Sequence, residues 1–196
     1  MSEEPLDVRV RRTRERLQGA VLRLASEHPV EEIAVADLVR DARVNRTTFY
    51  KHAASPVEIL EQILYADLDR LRAEWLSGSW DDHSGALADH VERYDGVYTK
   101  GLVGQRSAVL HRLLVEHFAA SARALLDARP QLLPEGTGSP QWRTKAYSAF
   151  IAHGQVGIVE AWLGEPRPRD RRLLISASAA MLPSWLVATF TAAPPS

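Results

Sequence analysis

Apolar residues recur at helical spacing from the start of the chain. Leu17, Val21, Leu24, Ala25 and His28 fall at i, i+4, i+7, i+8 and i+11, which predicts a helix over residues 10–28 with one mostly apolar stripe. Pro29 ends it. Val35, Leu38, Val39 and Ala42 repeat the spacing over a second helix too short to stand without tertiary packing. Asn45 is a good N-cap, and residues 46–52 have the length of two further turns, with Val44 and Phe49 facing inward. Ser55, Pro56 and Glu58 then supply a cap, a first-turn proline and a capping-box carboxylate, so a new helix starts there. Its stripe of Val57, Leu60, Leu64, Leu68, Leu71 and Trp75 runs to Ser77.

The remainder also reads as helical. No stretch alternates with period two, and turn signals fall near 78–84, 101–104, 129–141 and 164–169. Residues 129–141 concentrate proline and glycine and are expected to form a loop. Residues 173–196 carry no charge, a length that raises the question of a membrane span. Ser176, Ser178, Pro183 and Ser184 dilute that run, which favours a helix buried in a core or interface, kinked at Pro183.

Composition narrows the function classes. The 196 residues are 45% apolar and 25% charged, as in a folded globular protein, and contain no cysteine. Thiolate metal centres and cysteine nucleophiles are therefore excluded. The acidic opening MSEEPLD lacks the plan of a secretory signal, which leads to an expectation of a cytoplasmic protein. The net charge of -1 hides an uneven distribution, because residues 9–51 hold ten Lys/Arg against six Asp/Glu. Such a surplus is either a solvated helix face or the footprint of a nucleic acid.

The segment after the second helix discriminates between them. Opposite Phe49, the residues Arg46, Thr47, Tyr50 and Lys51 offer guanidinium, hydroxyl, phenol and ammonium groups within two turns. Helix-turn-helix proteins place a helix of this kind in the DNA major groove. Residues 9–64, and above all the stretch ARVNRTTFYKH at 42–52, resemble the DNA-binding domain of the tetracycline-repressor (TetR/AcrR) family of bacterial transcriptional regulators. The Thr-Phe-Tyr triplet carries most of the resemblance. Arg43 departs from the family pattern by standing where a turn glycine is usual, so it either avoids positive φ or accepts strain. Ala34 stands at the usual Ser/Thr cap of the second helix, Ala53 replaces an aromatic, and Pro56 replaces a lysine.

The resemblance implies an all-α protein: a three-helix helix-turn-helix domain (9–54), joined by a connecting helix to a helical effector-binding and dimerisation domain within 55–196. Combined with side-chain chemistry, it assigns Arg46 and Thr47 to base reading. Asn45, Thr48, Tyr50, Lys51 and His52 are assigned to phosphate contact, with Arg43 adding backbone affinity. For Thr48 a bond back into its own helix is the alternative. His52 packing on the fourth helix is another. The expected partners are a palindromic duplex operator, a second copy of the chain and a small-molecule effector, with no membrane and no cofactor.

In the C-terminal part, Phe150, Gly154, Gly157, Ile158, Ala161 and Trp162 share a face whose glycines permit close helix approach. With Met181, Trp185 and Leu186 they resemble the two-helix contribution to a four-helix dimer interface. The monomer core is the alternative. His83, His90, Tyr94 and Tyr98 fall near i, i+7, i+11 and i+15, so one helix face can present imidazoles and phenols to an aromatic ligand. His117, Trp142 and Tyr147 are weaker ligand candidates, and an ordinary core or surface stripe is the alternative for all of them.

Catalysis finds no support in the motifs. Residues 135–139, EGTGS, lack the lysine and preceding strand of a phosphate loop, and no G-x-S-x-G elbow occurs. His111 and His117, six apart, point to different sides of a helix. No H-E-x-x-H cluster suggests a metal. A competing non-enzyme reading is a helical adaptor that binds a protein or membrane surface through its apolar C-terminal face.

Overall fold

A computed structural model describes residues 4–77, 80–104 and 106–183, with side chains described over 8–74, 85–104 and 106–183. The described elements are helices: α1 (Glu4–Ala25), α2 (Val35–Ala42), α3 (Arg46–Phe49), α4 (Pro56–Ser77), α5 (Trp80–Arg93), α6 (Asp95–Tyr98), α7 (Ala108–Ala128), α8 (Pro140–Leu163) and α9 (Arg171–Ala180). Short 3-10 turns cover Val30–Glu32 and Pro130–Leu132, and a π-helical turn covers Thr99–Gly104. There is no strand among the described residues. The expected all-α class is what the chain adopts.

The chain forms two compact units that are not consecutive in sequence. One contains the residues up to Ala66 together with Tyr94–Leu110; the other contains Asp67–Arg93 and the residues from His111 onward. In the first unit α1 packs on α2, α2 on α3, and α1 on α6. Its core is Leu17, Val21, Leu38, Phe49, Leu60 and Leu64, each fully or almost fully buried. These are the apolar stripes of the sequence turned inward, and their burial offsets the poor intrinsic stability of helices as short as α2 and α3.

Segment 94–110 closes this unit by two specific contacts. Gly96 lies so near α1 that a Cβ there would fall 2.7 Å from the Ser26 hydroxyl, so only glycine permits the approach. The Glu31 carboxylate accepts hydrogen bonds from the Ser107 hydroxyl at 2.7 Å and from the Val109 amide at 3.2 Å. Ser107 in turn caps α7 by accepting from the Leu110 amide at 3.2 Å. Partial burial would raise the Glu31 pKa, but these hydrogen bonds outweigh it and hold the carboxyl below its ordinary 4.5. Glu31→Ala should cost about 1–2 kcal/mol of stability, with the wild-type advantage present above pH ~4.5 and lost below it as the carboxylate protonates. Denaturant melts of both proteins at pH 7 and pH 3.5 check this. Equal midpoint differences at the two pH values would refute it.

In the second unit α9 packs on α5 and α8. Ala122, Leu125, Ile151 and Leu182 form one cluster, with Leu132 against it. Asp67 is a charged hub within this unit. Its Oδ1 accepts from Arg70 at 2.7 Å, its Oδ2 accepts from Arg93 at 2.8 Å, and His90 Nδ1 lies 3.4 Å from Oδ2.

Several element boundaries differ from the sequence reading. α1 begins at Glu4 and stops at Ala25, because Ser26, Glu27 and His28 form the turn before Pro29. α3 is a single turn, followed by a turn over 50–52 rather than a second helical turn. The 78–84 turn signal is overridden from Trp80 onward by α5. α9 ends at Ala180, before Pro183, so the expected kink does not arise within it: proline supplies no amide and disfavours helix in the residue before it. No helix among the described residues is long and apolar enough to cross a membrane.

Candidate nucleic-acid interface

The α2–turn–α3 segment builds an exposed surface on a buried anchor. α2 has Ala34 at its cap position with no side-chain hydrogen bond there, so it depends on Leu38 and Ala42, both buried. Arg43 ends it at φ 53°, ψ 46°, in the left-handed region. Of the two options left by the sequence, the chain therefore accepts the strain, which a glycine would not carry. Asn45 then caps α3, its Oδ1 accepting from the Thr48 amide at 2.7 Å. Phe49 is 0% exposed and fixes α3 to the core.

Around that anchor the sequence-selected residues fall into two groups. Arg43, Asn45, Arg46, Thr47, Tyr50 and Lys51 are exposed, whereas Thr48 and His52 are half-buried. Asn45 already spends one carbonyl acceptor on the cap, and its amide donors remain. Arg46 donates to Tyr50 Oη from Nη2 at 3.1 Å and Nε at 3.4 Å.

Charge is also sorted by position. Arg23 pairs with Asp41 at 2.6 Å and Arg40 pairs with Asp37, so those cations are compensated. Arg43, Arg46 and Lys51 make no ion pair among the described residues. Three uncompensated cations within nine residues, mixed with hydroxyl and amide groups, suit a polyanion whose edges also carry acceptors.

The ligand candidates do not share one face. α5 ends at Arg93, Tyr94 breaks the helix and α6 restarts at Asp95, so the spacing that linked His90, Tyr94 and Tyr98 does not persist. Tyr98 is fully buried in the first unit and His90 is buried in the second beside Asp67. His117 is buried against Phe118, Tyr147 is half-buried and Trp142 is exposed. The side chain of His83 lies outside the described residues. Sequence reasoning missed Ser121 and Ser148, whose buried hydroxyls make no hydrogen bond among the described residues. They lie within a turn of Ala122 and Ile151, which pack together. A helical serine gives no signal of this in sequence.

The supposed dimer face divides. Phe150, Gly154, Gly157 and Ala161 form an exposed stripe on α8, and a Cβ at either glycine would meet nothing within 4 Å. Ile158 is half-buried at its edge and Met181 is exposed after α9. Trp162 does not share this face: it is buried, its Nε1 donates to the Asp170 carbonyl at 3.0 Å, and the Arg169 guanidinium covers its ring. Trp185 and Leu186 lie outside the described residues.

Among solved structures, a TetR transcriptional regulator from Streptococcus agalactiae matches 92% of this chain and 98% of its own length, with TM-score 0.66 and 17% identity. The chain has the TetR-regulator fold. Two further structures share the TetR fold: the dihydroxyacetone kinase operon activator DhaS (TM-score 0.60, 15% identity, 91% of this chain and 96% of its own) and Thermus thermophilus FadR, a repressor in complex with lauroyl-CoA (0.54, 15%, 93% and 97%). An uncharacterised HTH-type transcriptional regulator of Bacillus subtilis, YxbF, is 40% identical over 63 residues, which is 32% of this chain and 17% of that protein. No family model matches. The TetR fold agrees with the resemblance carried by residues 42–52, and the relatives found are regulators.

Proposed function

We propose that the chain is a sequence-specific DNA-binding transcriptional regulator, with residues 9–54 reading a palindromic operator as part of a homodimer. The observation that carries this reading is the exposed, uncompensated set Arg43, Arg46 and Lys51 beside Thr47 and Tyr50, on and flanking α3, which the buried Phe49 fixes to the core. A second copy of the chain paired through the α8 stripe of Phe150, Gly154, Gly157 and Ala161 would supply the second such surface that the two half-sites of a palindrome require. The regulator is a repressor released by a small molecule in its helical C-terminal part. The unpartnered hydroxyls of Ser121 and Ser148 favour a ligand with polar groups, since a buried hydroxyl without a partner costs free energy. One relative of this fold is named a repressor with an acyl-CoA bound and another an activator, so a reporter fused to the selected operator reads the sign directly.

Selection from a random duplex library by the purified protein tests the central reading. Enrichment of a palindrome is expected. Arg46→Ala should cost about 1–3 kcal/mol per half-site and erase the preference at one base-pair position, whereas Lys51→Ala should weaken all duplexes alike and flatten the salt slope by about one charge per half-site. No enrichment from a folded wild-type protein would refute DNA recognition and favour the adaptor reading.

A further inference from the structure

The exposed side chains of the α3 segment differ in the contacts they make. Arg46 and Tyr50 lie four residues apart. The Nε–H and one Nη2–H of Arg46 both point to Tyr50 Oη, at 3.4 and 3.1 Å, and the guanidinium carbon stands 5.6 Å from the Tyr50 ring centroid. The ring itself is half exposed. It meets Phe49 edge to face, with centroids 5.1 Å apart and planes at 70°, and Phe49 is wholly buried. A continuous chain of contacts therefore runs from the core through two aromatic rings to a guanidinium at the surface.

We propose that Tyr50 is the positioning residue for Arg46, holding its guanidinium by one edge so that the other edge is preset to read a guanine. This inference rests on the DNA-binding reading above. A guanidinium has five N–H donors in a fixed fork. The phenol oxygen takes two of them along the Nε/Nη2 edge, leaving both hydrogens of Nη1 and the outer hydrogen of Nη2. The outer Nη2 hydrogen and the Nη1 hydrogen beside it form the end edge, the bidentate partner for the O6 and N7 acceptors of guanine.

The choice of partner also matters. A carboxylate at residue 50 would hold the same edge more strongly but would neutralise the charge and compete for the donors that face DNA. A phenol restrains without neutralising. Restraint reduces the side-chain ordering left to be done on binding, which is where preorganisation gains affinity and selectivity.

The test uses the full chain and the duplex selected above. Its critical position is the base pair whose preference vanishes in Arg46→Ala. Tyr50→Phe keeps the ring against Phe49 and removes the acceptor, so its melting temperature should match wild type. Discrimination between the selected duplex and one changed at that base pair should fall about three- to tenfold in Tyr50→Phe, while affinity for a scrambled duplex stays within about twofold. In an Arg46→Ala background, Tyr50→Phe should change neither quantity by more than about twofold. Loss of the same size on selected and scrambled duplexes, persisting without Arg46, would overturn the proposal and leave Tyr50 as a phosphate contact. A wild-type protein that selects no sequence would overturn the DNA-binding reading and this inference with it.

Discussion

Phe49→Ala is expected to remove about 3–5 kcal/mol of stability from the N-terminal unit, a large share of what a domain of this size possesses. Phe49 is completely buried, and α3 is a single turn that cannot hold itself by backbone hydrogen bonds. Removing the ring opens a cavity beneath the segment that carries Arg46, Tyr50 and Lys51. The proposed DNA binding should disappear with the fold although Phe49, wholly buried, offers nothing to DNA. Urea unfolding followed by circular dichroism checks this, with Phe49→Leu as the comparator that keeps most of the buried volume. Lys51→Ala should melt like wild type. If Phe49→Ala did so too, α3 would not be docked as described.

The second large effect is a loss of stability in acid. Burial pushes the His90 pKa from 6.5 down to about 4; the Asp67 carboxylate opposes that shift, and the Arg93 and Arg70 charges add to it. The unfolded chain takes up this proton near pH 6.5, so between pH 6.5 and 4 it binds more protons than the folded one. The contribution is complete above pH ~6.5 and disappears as pH falls toward 4, with a slope approaching about 1.4 kcal/mol per pH unit and a total of about 3 kcal/mol. His90→Gln, which has no titrating proton, should flatten the stability profile across that window. An unchanged acid slope in His90→Gln would show that another group is responsible.

What could be read from the sequence follows from how local each feature is. The start of α4 was legible because its signal is self-contained: Ser55 Oγ accepts from the Glu58 amide and the Glu58 carboxylate accepts from the Ala54 amide. The exposed set on and around α3 was legible because Phe49 fixes which side faces in. Arg43 was legible only as two options, since no local rule says whether a chain will bear a left-handed arginine. The break between α5 and α6 was hidden, because continuous helical spacing runs through Tyr94. Glu31 and Ser107 were invisible, because a hydrogen bond across 76 residues leaves no pattern in either neighbourhood.

That last contact bears on how the protein is made. The helix-turn-helix emerges from the ribosome well before residues 96 and 107, which complete its packing against Ser26 and Glu31. At about 5–20 residues per second, the first unit waits several seconds with that flank open before translation reaches Leu110. A nascent chain stalled at Ser77 should therefore be more protease-sensitive within residues 26–35 than one stalled late enough for Leu110 to have cleared the exit tunnel, and a message paused between those points would hold the protein in its most vulnerable form.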